Sequence, residues 1–183
     1  MKVHQTTITD LFVIEGTSHV DLRGSFARLF CKNALSKIIG NRSILQINYS
    51  LTNSVGALRG MHFQRAPHAE MKLVRCLRGK VWDVAIDLRP ASPSYLRWHA
   101  EELTPASDRM LVIPEGFAHG FQVMEPDSEL LYLHTSFYQP EFESGLRFDD
   151  PIFNIDWPLQ VTDISKRDSN HPYISSSFTG VCI

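Results

Sequence analysis

The sequence predicts an all-β protein made of short antiparallel strands, and three observations support this fold class. Turn signals that contain Gly or Pro recur along the chain. The runs between them are short and rich in Val, Ile, Leu, Phe and Trp. Several of these runs alternate with a period of two, which is typical of strands in a sandwich or barrel. The 183 residues show no linker or repeat, so we expect one domain over residues 1–183.

The alternation places polar and apolar residues on opposite faces of the predicted strands. In residues 81–88, Trp82 and Ile86 share one face, whereas Asp83 and Asp87 share the other. We expect the mixed faces to line a wet interior and the apolar outer faces to pack against a second sheet or a dimer partner. The same parity predicts two further mixed faces, one with Lys72, Val74 and Cys76 and the other with Leu130, Tyr132, His134 and Ser136.

Helical signal is sparse and confined to two places. Residues 32–39 carry Leu35, Ile38 and Ile39 at helical spacing, and Gly40 follows as a C-terminal cap residue. We therefore expect one short helix there. A further helical turn is expected around residues 165–168.

Composition and charge exclude several classes of function. A net charge of −2 and a pI of about 6.4 give no basic footprint, so we expect no nucleic-acid partner. Cys31, Cys76 and Cys182 are widely spaced, which argues against a thiolate zinc site or a disulfide framework. No apolar run is long enough to span a membrane, and the N-terminus lacks the apolar stretch of a signal peptide. We expect a cytoplasmic protein that does not contact a membrane.

The stretch ALRGMHFQ, residues 57–64, places polar residues inside an apolar strand. Arg59 and His62 would face opposite sides of a regular strand, but Gly60 between them is typical of a bulge. A bulge there would bring both side chains to one side. An isolated histidine is more often a hydrogen-bonded core residue, yet Arg59 and Gln64 are costly to bury without partners. The pattern favours a functional site.

The stretch PEGFAH, residues 114–119, has the Pro-x-Gly-x-x-His turn of the cupins, which are small jelly-roll barrels. Cupin metal ligands usually come as His-x-His followed by Glu and then by this later His. Gln64 stands here where the second histidine of the pair is expected, and a neutral amide is a poor ligand for a divalent metal. A metal-dependent cupin enzyme, such as a dioxygenase or isomerase, stays open as an alternative, with His62, His68, Glu70 and His119 as ligands.

Seven motifs, in order, carry a closer resemblance over roughly residues 10–170. They are DLRGSFAR, LQINYS, LRGMHFQ, KLVRCLRGKVWDVAIDLR, PEGFAHGF, LLYLHTSFYQPE and IDWP. Together they resemble the dTDP-4-dehydrorhamnose 3,5-epimerase family, a metal-free branch of the cupins. The resemblance implies a double-stranded β-helix barrel of the cupin jelly-roll type with a few short peripheral helices, a homodimer and no cofactor.

The implied reaction is epimerisation at C3, C5 or both of a dTDP-4-keto-6-deoxyhexose, in rhamnose-type deoxysugar biosynthesis. The C4 ketone acidifies the neighbouring C–H bonds, so a proton leaves one face and returns on the other through an enolate. A single-site epimerase acting only at C3 or only at C5 is an alternative, because such enzymes share the same residues. A non-catalytic sugar-nucleotide binder or dimeric scaffold is a further alternative, although a binder does not need an acid–base set.

The resemblance, together with strand parity and side-chain chemistry, suggests a role for each site residue. His62 is the base, because imidazole can accept a proton near neutral pH, and Asp168 is its carboxylate partner. Tyr132 is the acid, and the Lys72 ammonium is placed to stabilise the enolate oxygen. Asp83 is a second candidate for the polar network. The implied substrate-binding residues are Arg23, Phe26, Gln46, Asn48, Arg59, His119, Glu143 and Lys166, with Arg167 as an alternative contact to the diphosphate.

Two residues depart from the pattern of the family. Arg28 stands where many members carry Glu, which bears on how the nucleotide base is held. Leu133 follows Tyr132 where many members carry Lys. Because neighbouring strand residues face opposite sides, we expect Leu133 to affect packing and not the chemistry.

Overall fold

The computed structural model describes residues 1–183 and contains thirteen strands with very little helix. The first six strands are β1 (Lys2–Gln5), β2 (Phe12–Glu15), β3 (Ser18–Asp21), β4 (Gly24–Ala27), β5 (Gln46–Thr52) and β6 (Leu58–Gln64). The others are β7 (Lys72–Arg78), β8 (Val81–Asp87), β9 (Trp98–Leu103), β10 (Arg109–Ile113), β11 (Phe117–Val123), β12 (Ser128–His134) and β13 (Glu143–Gly145). The helices are α1 (Ser36–Ile39), α2 (Lys166–Ser169) and a 3₁₀ turn, Pro105–Ser107.

Two antiparallel sheets face each other and form a jelly roll. The six-stranded sheet has the order β1-β2-β10-β7-β12-β5, and the five-stranded sheet has the order β13-β6-β11-β8-β9. Strands β3 and β4 form a separate hairpin. The predicted all-β fold class is therefore confirmed. Many sheet neighbours lie far apart in sequence, so residues from distant motifs meet between the sheets.

The space between the sheets holds the largest apolar cluster, and its members follow the predicted parity. Val74 and Cys76 from β7 and Leu130 from β12 point inward, against Ala85 from β8 and Phe121 from β11. Alternation along a strand requires the neighbours of these residues to point outward. Leu133 is an odd-numbered position of β12 and therefore has the outward parity, and it packs in the outer cluster on the six-stranded sheet. The expectation that it faces away from Tyr132 is confirmed.

The outer face of the five-stranded sheet is covered by the chain's own C-terminal segment, and this differs from the prediction. The face that carries Trp82 and Ile86 packs against Leu146, Phe153 and Val181, which belong to the C-terminal part of the chain. Neither a second sheet nor a partner is needed there. The prediction was wrong because the C-terminal segment has little regular structure, and its scattered apolar residues carry no periodic signal.

Both helical predictions fall in the right places, but the first helix is shorter than expected. Residues 32–35 form turns, and the helix covers Ser36–Ile39 before ending at Gly40, whose φ is +57°. Leu35 precedes the helix without a side-chain cap, so nothing extends the first turn as regular helix. The turn around residues 165–168 appears as α2, with Ser165 as its N-cap. No helix of this structure is long and apolar enough to cross a membrane.

Candidate active site

A cavity of about 660 Å³ is lined by residues of both sheets. Strands from both sheets contribute to its wall, together with the segment 163–168, which leads into α2. Its lining includes the side chains from which the sequence predicted chemistry: His62 from β6, Lys72 from β7, His119 from β11, Tyr132 from β12 and Asp168 from α2.

The predicted bulge at Gly60 is present and sets the direction of His62. The register between β6 and β11 pairs His62 with His119 but Arg59 with Phe121, so β6 holds one extra residue there. Gly60 has φ +125°, and a Cβ atom on it would lie 2.5 Å from Gly120 Cα. Only glycine fits this close approach of two strands. As a result, Arg59 and His62 both line the cavity.

Asp168 holds one side of the His62 ring. Its Oδ1 lies 2.9 Å from His62 Nε2, and its Oδ2 accepts the Gly60 N–H at 3.0 Å. The side chain is 4% exposed. Burial alone would raise the pKa of Asp168, but the hydrogen bonds from His62 and Gly60 outweigh it and hold the pKa well below its usual range. An ionised carboxylate therefore orients His62, whose Nδ1 remains without a protein hydrogen bond.

Tyr132 presents a protonated phenol to the same cavity. Burial raises the pKa of Tyr132, although a hydrogen bond with Ser50 acts in the opposite direction. The Tyr132 hydroxyl lies 3.2 Å from Ser50 Oγ. Its ring lies between two imidazoles, with centroids 6.2 Å from His119 and 6.1 Å from His134. A phenol in this setting can donate a proton at neutral pH but does not ionise by itself.

Lys72 is held in place by a buried carboxylate that also binds a histidine. Glu70 Oε1 lies 3.3 Å from Lys72 Nζ, and Glu70 Oε2 lies 2.7 Å from His134 Nδ1. Burial disfavours the Glu70 charge, but His134 and Lys72 together lower the pKa of Glu70 below its ordinary value. Lys72 Nζ also lies 3.5 Å from the carbonyl oxygen of His62. The ammonium is therefore fixed beside the residue predicted as the base.

His119 forms the third histidine–carboxylate pair around the cavity. Its Nε2 lies 2.7 Å from Asp83 Oδ1, and the Asp83 side chain is completely buried. Asp83 thus belongs to the polar network, as the parity of β8 suggested. The second oxygen of Asp83, Oδ2, has no hydrogen-bond partner. Asp83 orients His119 and does not itself reach the cavity lining.

Cationic and polar residues continue along the wall away from His62. The Arg59 guanidinium binds Thr52 Oγ1 at 2.9 Å, and Arg59 is exposed, so most of its donors stay free for a ligand. Glu143 Oε2 accepts from Tyr138 at 2.7 Å and from Arg167 at 2.9 Å. Asn48 lines this part as well. The wall could therefore hold an anionic group together with a hydrogen-bonding one.

Four predicted binding residues do not line the cavity in the single chain. Arg23 and Phe26 lie on the exposed β3–β4 hairpin, where Arg23 pairs with Asp21 at 2.6 Å. Gln46 lies two residues before Asn48 on β5, and its Nε2 donates to Asn48 Oδ1 at 3.0 Å. Lys166 is exposed on α2, whereas its neighbour Arg167 reaches the cavity. Arg28, the departure noted in the sequence, is exposed directly after β4.

The four ligands of the metal alternative do not come together. His68 packs on the Phe142 ring at 4.5 Å, while Glu70 binds His134 and His119 binds Asp83. The cluster with ligand spacing is a different one, formed by His62, Asp168 and His171. The geometry therefore does not support the ligand set of a metal-dependent cupin.

Sequence reasoning gave no role to three residues of the site. The parity of β12 had placed His134 on the Tyr132 face, but its partner Glu70 lies outside a strand and gave no local signal. Tyr138 lies in a loop, and its hydroxyl binds Glu143. His171 follows α2, and its ring makes an edge contact with His62 at 5.7 Å between centroids. Burial and the nearby His62 lower the pKa of His171.

The fold and the site define a class: a cupin-type jelly roll whose barrel holds a histidine–carboxylate acid–base site beside a buried lysine. The family model described as dTDP-4-dehydrorhamnose 3,5-epimerase matches residues 5–176. The chain belongs to this family.

Relatives and solved structures agree with this membership. A dTDP-4-dehydrorhamnose 3,5-epimerase of Sinorhizobium fredii is 38% identical over 173 residues, covering 94% of this chain and 89% of the relative. The crystal structure of the Bacillus anthracis enzyme of the same name, with TDP and PPi bound, has a TM-score of 0.91 at 33% identity and covers 94% of this chain and 99% of that one. A 3'-monoepimerase of Streptomyces bikiniensis in complex with dTDP-quinovose has a TM-score of 0.86 at 29% identity, covering 93% and 86% of the two chains.

Proposed function

We propose that the protein epimerises a dTDP-4-keto-6-deoxyhexose at C3 and C5, as an isomerase of deoxysugar biosynthesis, and that it does so as one catalytic domain over residues 1–183. The observation that carries the proposal is the pair formed by His62 and the buried Asp168 in a cavity that also presents Tyr132 and Lys72. Family membership supports the substrate class, since the relatives are named for this activity.

His62 acts as the base in this proposal. Nδ1 is the ring nitrogen without a protein partner, so it removes the proton from the carbon beside the C4 ketone. The electron pair of that C–H bond moves to the ketone oxygen and forms an enolate. Asp168 stabilises the imidazolium that results, because its charge faces Nε2 at 2.9 Å.

Tyr132 and Lys72 complete the cycle. Tyr132 returns a proton to the opposite face of the same carbon, which inverts that centre, and solvent resets the protonation of both side chains. The Lys72 ammonium stabilises the enolate oxygen. An ion pair with Glu70, in which Lys72 Nζ lies 3.3 Å from Glu70 Oε1, holds the ammonium in place. His119, fixed by Asp83, lines the cavity from the five-stranded sheet and assists at the enolate oxygen.

The nucleotide half occupies the cationic part of the wall. Arg59 binds the diphosphate through its free donors, with Arg167 as the second cation and Asn48 and Glu143 as polar contacts. Gln46 supports Asn48, and Lys166 lies just outside this wall. Arg23 and Phe26 reach the nucleotide from a partner subunit, since in their own chain they lie on an exposed hairpin.

A homodimer is part of the proposal. The outer face of the edge strand β5 exposes Ile47 and Tyr49, which are 63% and 57% exposed, although both are large apolar or aromatic residues. Ile47→Glu is expected to shift the protein from dimer to monomer in light scattering. Val3→Glu is the matched control, because Val3 is 45% exposed on β1, the opposite edge of the same sheet. A monomeric wild-type protein would refute this part.

The proposed compartment is the cytoplasm. The three cysteines are all free, which suits a reducing environment.

A second candidate function is epimerisation at one carbon only. The similarity to a 3'-monoepimerase favours keeping it, because the residues that perform the chemistry do not distinguish the two reactions. The choice depends on the shape of the cavity around Tyr132 and His134, which both line it.

Turnover in deuterated water tests both candidates. Purified protein is incubated with dTDP-4-keto-6-deoxyglucose, and NMR follows deuterium at C3 and C5. Incorporation at both carbons is expected. Incorporation at one carbon would replace the proposal with the single-site reaction, and none would reject both.

A further inference from the structure

His171 has no role in the proposed reaction, yet it contacts the proposed base. It lies three residues after Asp168, and its ring is packed so closely on β13 that a Cβ atom on Gly145 would lie 2.3 Å from His171 Nε2. The same Nε2 is buried and has no hydrogen-bond partner. Buried polar atoms in native proteins are nearly always paired, so this nitrogen needs an explanation.

The unpaired nitrogen lies near other atoms that can bind a metal ion. His171 Nε2 lies 3.9 Å from Asp168 Oδ1, and Asp168 Oδ1 lies 2.9 Å from His62 Nε2. One potential ligand atom from each of His62, Asp168 and His171 lies within 4.8 Å of the other two. Around a tetrahedral zinc ion with bonds of about 2.0–2.1 Å, ligand atoms are roughly 3.3–3.5 Å apart. The His171–Asp168 separation exceeds this spacing by about half an ångström and the Asp168–His62 separation falls short of it by a similar amount, whereas the two imidazoles must approach by up to about 1.4 Å to bind one ion.

We propose that His62, Asp168 and His171 form a binding site for a divalent transition-metal ion of the zinc class. Two imidazoles and one carboxylate are a donor set that suits Zn²⁺. His62 and Asp168 line the cavity, so an ion can reach the site from there. The ion has no part in the reaction.

Arg167 is the cation that the metal ion must displace. Its Nη2 lies 3.1 Å from His62 Nε2, and its Nε lies 3.3 Å from Asp168 Oδ1. The side chain is 55% exposed, so it can swing away into solvent. As long as it stays, its charge opposes a divalent ion at the same place. The guanidinium thus competes with the metal for the His62–Asp168 pair.

Metal binding at this site inhibits the enzyme, and this consequence rests on the proposed function. The ion takes Asp168 Oδ1 and His62 Nε2, which form the contact that supports the proposed base. The binding itself does not depend on what the enzyme acts on.

Calorimetry with zinc chloride tests the binding directly. Metal-stripped wild-type protein is expected to bind one Zn²⁺ per chain in a non-chelating buffer, with the count checked by elemental analysis. His171→Gln is expected to weaken binding at least tenfold, since losing even supporting groups of a metal site costs about 10–100-fold in affinity. Arg167→Gln is expected to tighten it. Cys182→Ser is the control for adventitious binding at an exposed thiol and should match the wild type.

Deuterium incorporation into the sugar nucleotide tests the inhibition separately. It is measured without Zn²⁺, with Zn²⁺ and after a chelator is added. The proposal is supported if Zn²⁺ abolishes exchange in the wild type, the chelator restores it, and His171→Gln keeps its exchange at the same Zn²⁺ concentration. The absence of stoichiometric binding, or equal affinity of the wild type and His171→Gln, overturns it. An unchanged affinity in Arg167→Gln refutes the competition. Zinc binding without any epimerase activity would refute the proposed function but would still support the metal site.

Discussion

Replacing Asp168 with Asn tests the proposed base most directly, because the amide keeps the shape of the carboxylate and removes its charge. Asp168 Oδ1 faces His62 Nε2 at 2.9 Å, and Oδ2 accepts the Gly60 N–H at 3.0 Å. A hydrogen bond to a charged group contributes about 1.5–3 kcal/mol. At about 1.4 kcal/mol for each factor of ten, this loss alone lowers the rate roughly 10- to 150-fold.

The Gly60 N–H makes the loss larger. It requires an acceptor, so the Asn oxygen is expected to occupy the Oδ2 position and the amide nitrogen to face His62. An amide N–H donates, and Nε2 must then accept, which moves the ring proton to Nδ1. A wrong tautomer in a comparable His–Asp system costs on the order of 10⁴ in kcat. We therefore expect Asp168→Asn to lower kcat by about 10³–10⁴.

The assay is deuterium incorporation at C3 and C5 of the 4-keto sugar nucleotide, with urea unfolding to check the fold. Asp150→Asn is the matched control, because Asp150 is 3% exposed and accepts backbone N–H groups from Ile152 and Ile174, away from the cavity. A folded Asp168→Asn protein that keeps turnover within tenfold of the wild type would refute the reasoning.

Four further outcomes are expected. Tyr132→Phe should lower net epimerisation about 10²–10⁴-fold, while deuterium still exchanges at a carbon that faces His62. If exchange is lost as well, His62 as the base and Tyr132 as the acid do not act separately. Lys72→Met should lower kcat about 10²–10³-fold, and a change in KM alone would argue against enolate stabilisation. Gly60→Ala should destabilise the fold by about 3 kcal/mol or more in urea unfolding, and clearly more than Gly24→Ala, which has a similar φ of +131° but open space around it. The pKa of Asp168 is lower in the folded than in the unfolded protein, so its contribution to stability is present above about pH 4 and is lost as pH falls towards the folded pKa. The free energy of unfolding should therefore decline below about pH 4. This decline should be less steep in Asp168→Asn.

Strand identity and side-chain direction could be predicted from the sequence because both are local properties. Alternation assigned Lys72 and Tyr132 to inward faces and Leu133 to an outward face, and all three lie as expected. Gly60 predicted the bulge, because glycine inside a strand marks a place where regular pairing fails. The interpretation of His62 as functional followed from its polar neighbours Arg59 and Gln64, which lie in the same apolar run.

Other parts of the site had no local signal. Residues 146–181 cover one sheet without regular periodicity, so the sequence suggested a second sheet or a partner instead. Glu70 and His134 meet across 64 residues, and neither position identifies the other. The His171 ring lies between Gly145 and Asp168 with its Nε2 unpaired, and no pattern in the sequence indicates this placement.

The sequence by itself determined the class of fold, the faces of the strands and the family to which the chain belongs. Each of these depends on the order and period of neighbouring residues. The tertiary structure decided how the charges meet: the resemblance implied Asp168 as the partner of His62, but only the closed barrel brings the two together across 106 residues. The physical reason is that a hydrogen bond of about 3 Å depends on how the whole barrel closes, whereas alternation depends only on the backbone of a single strand.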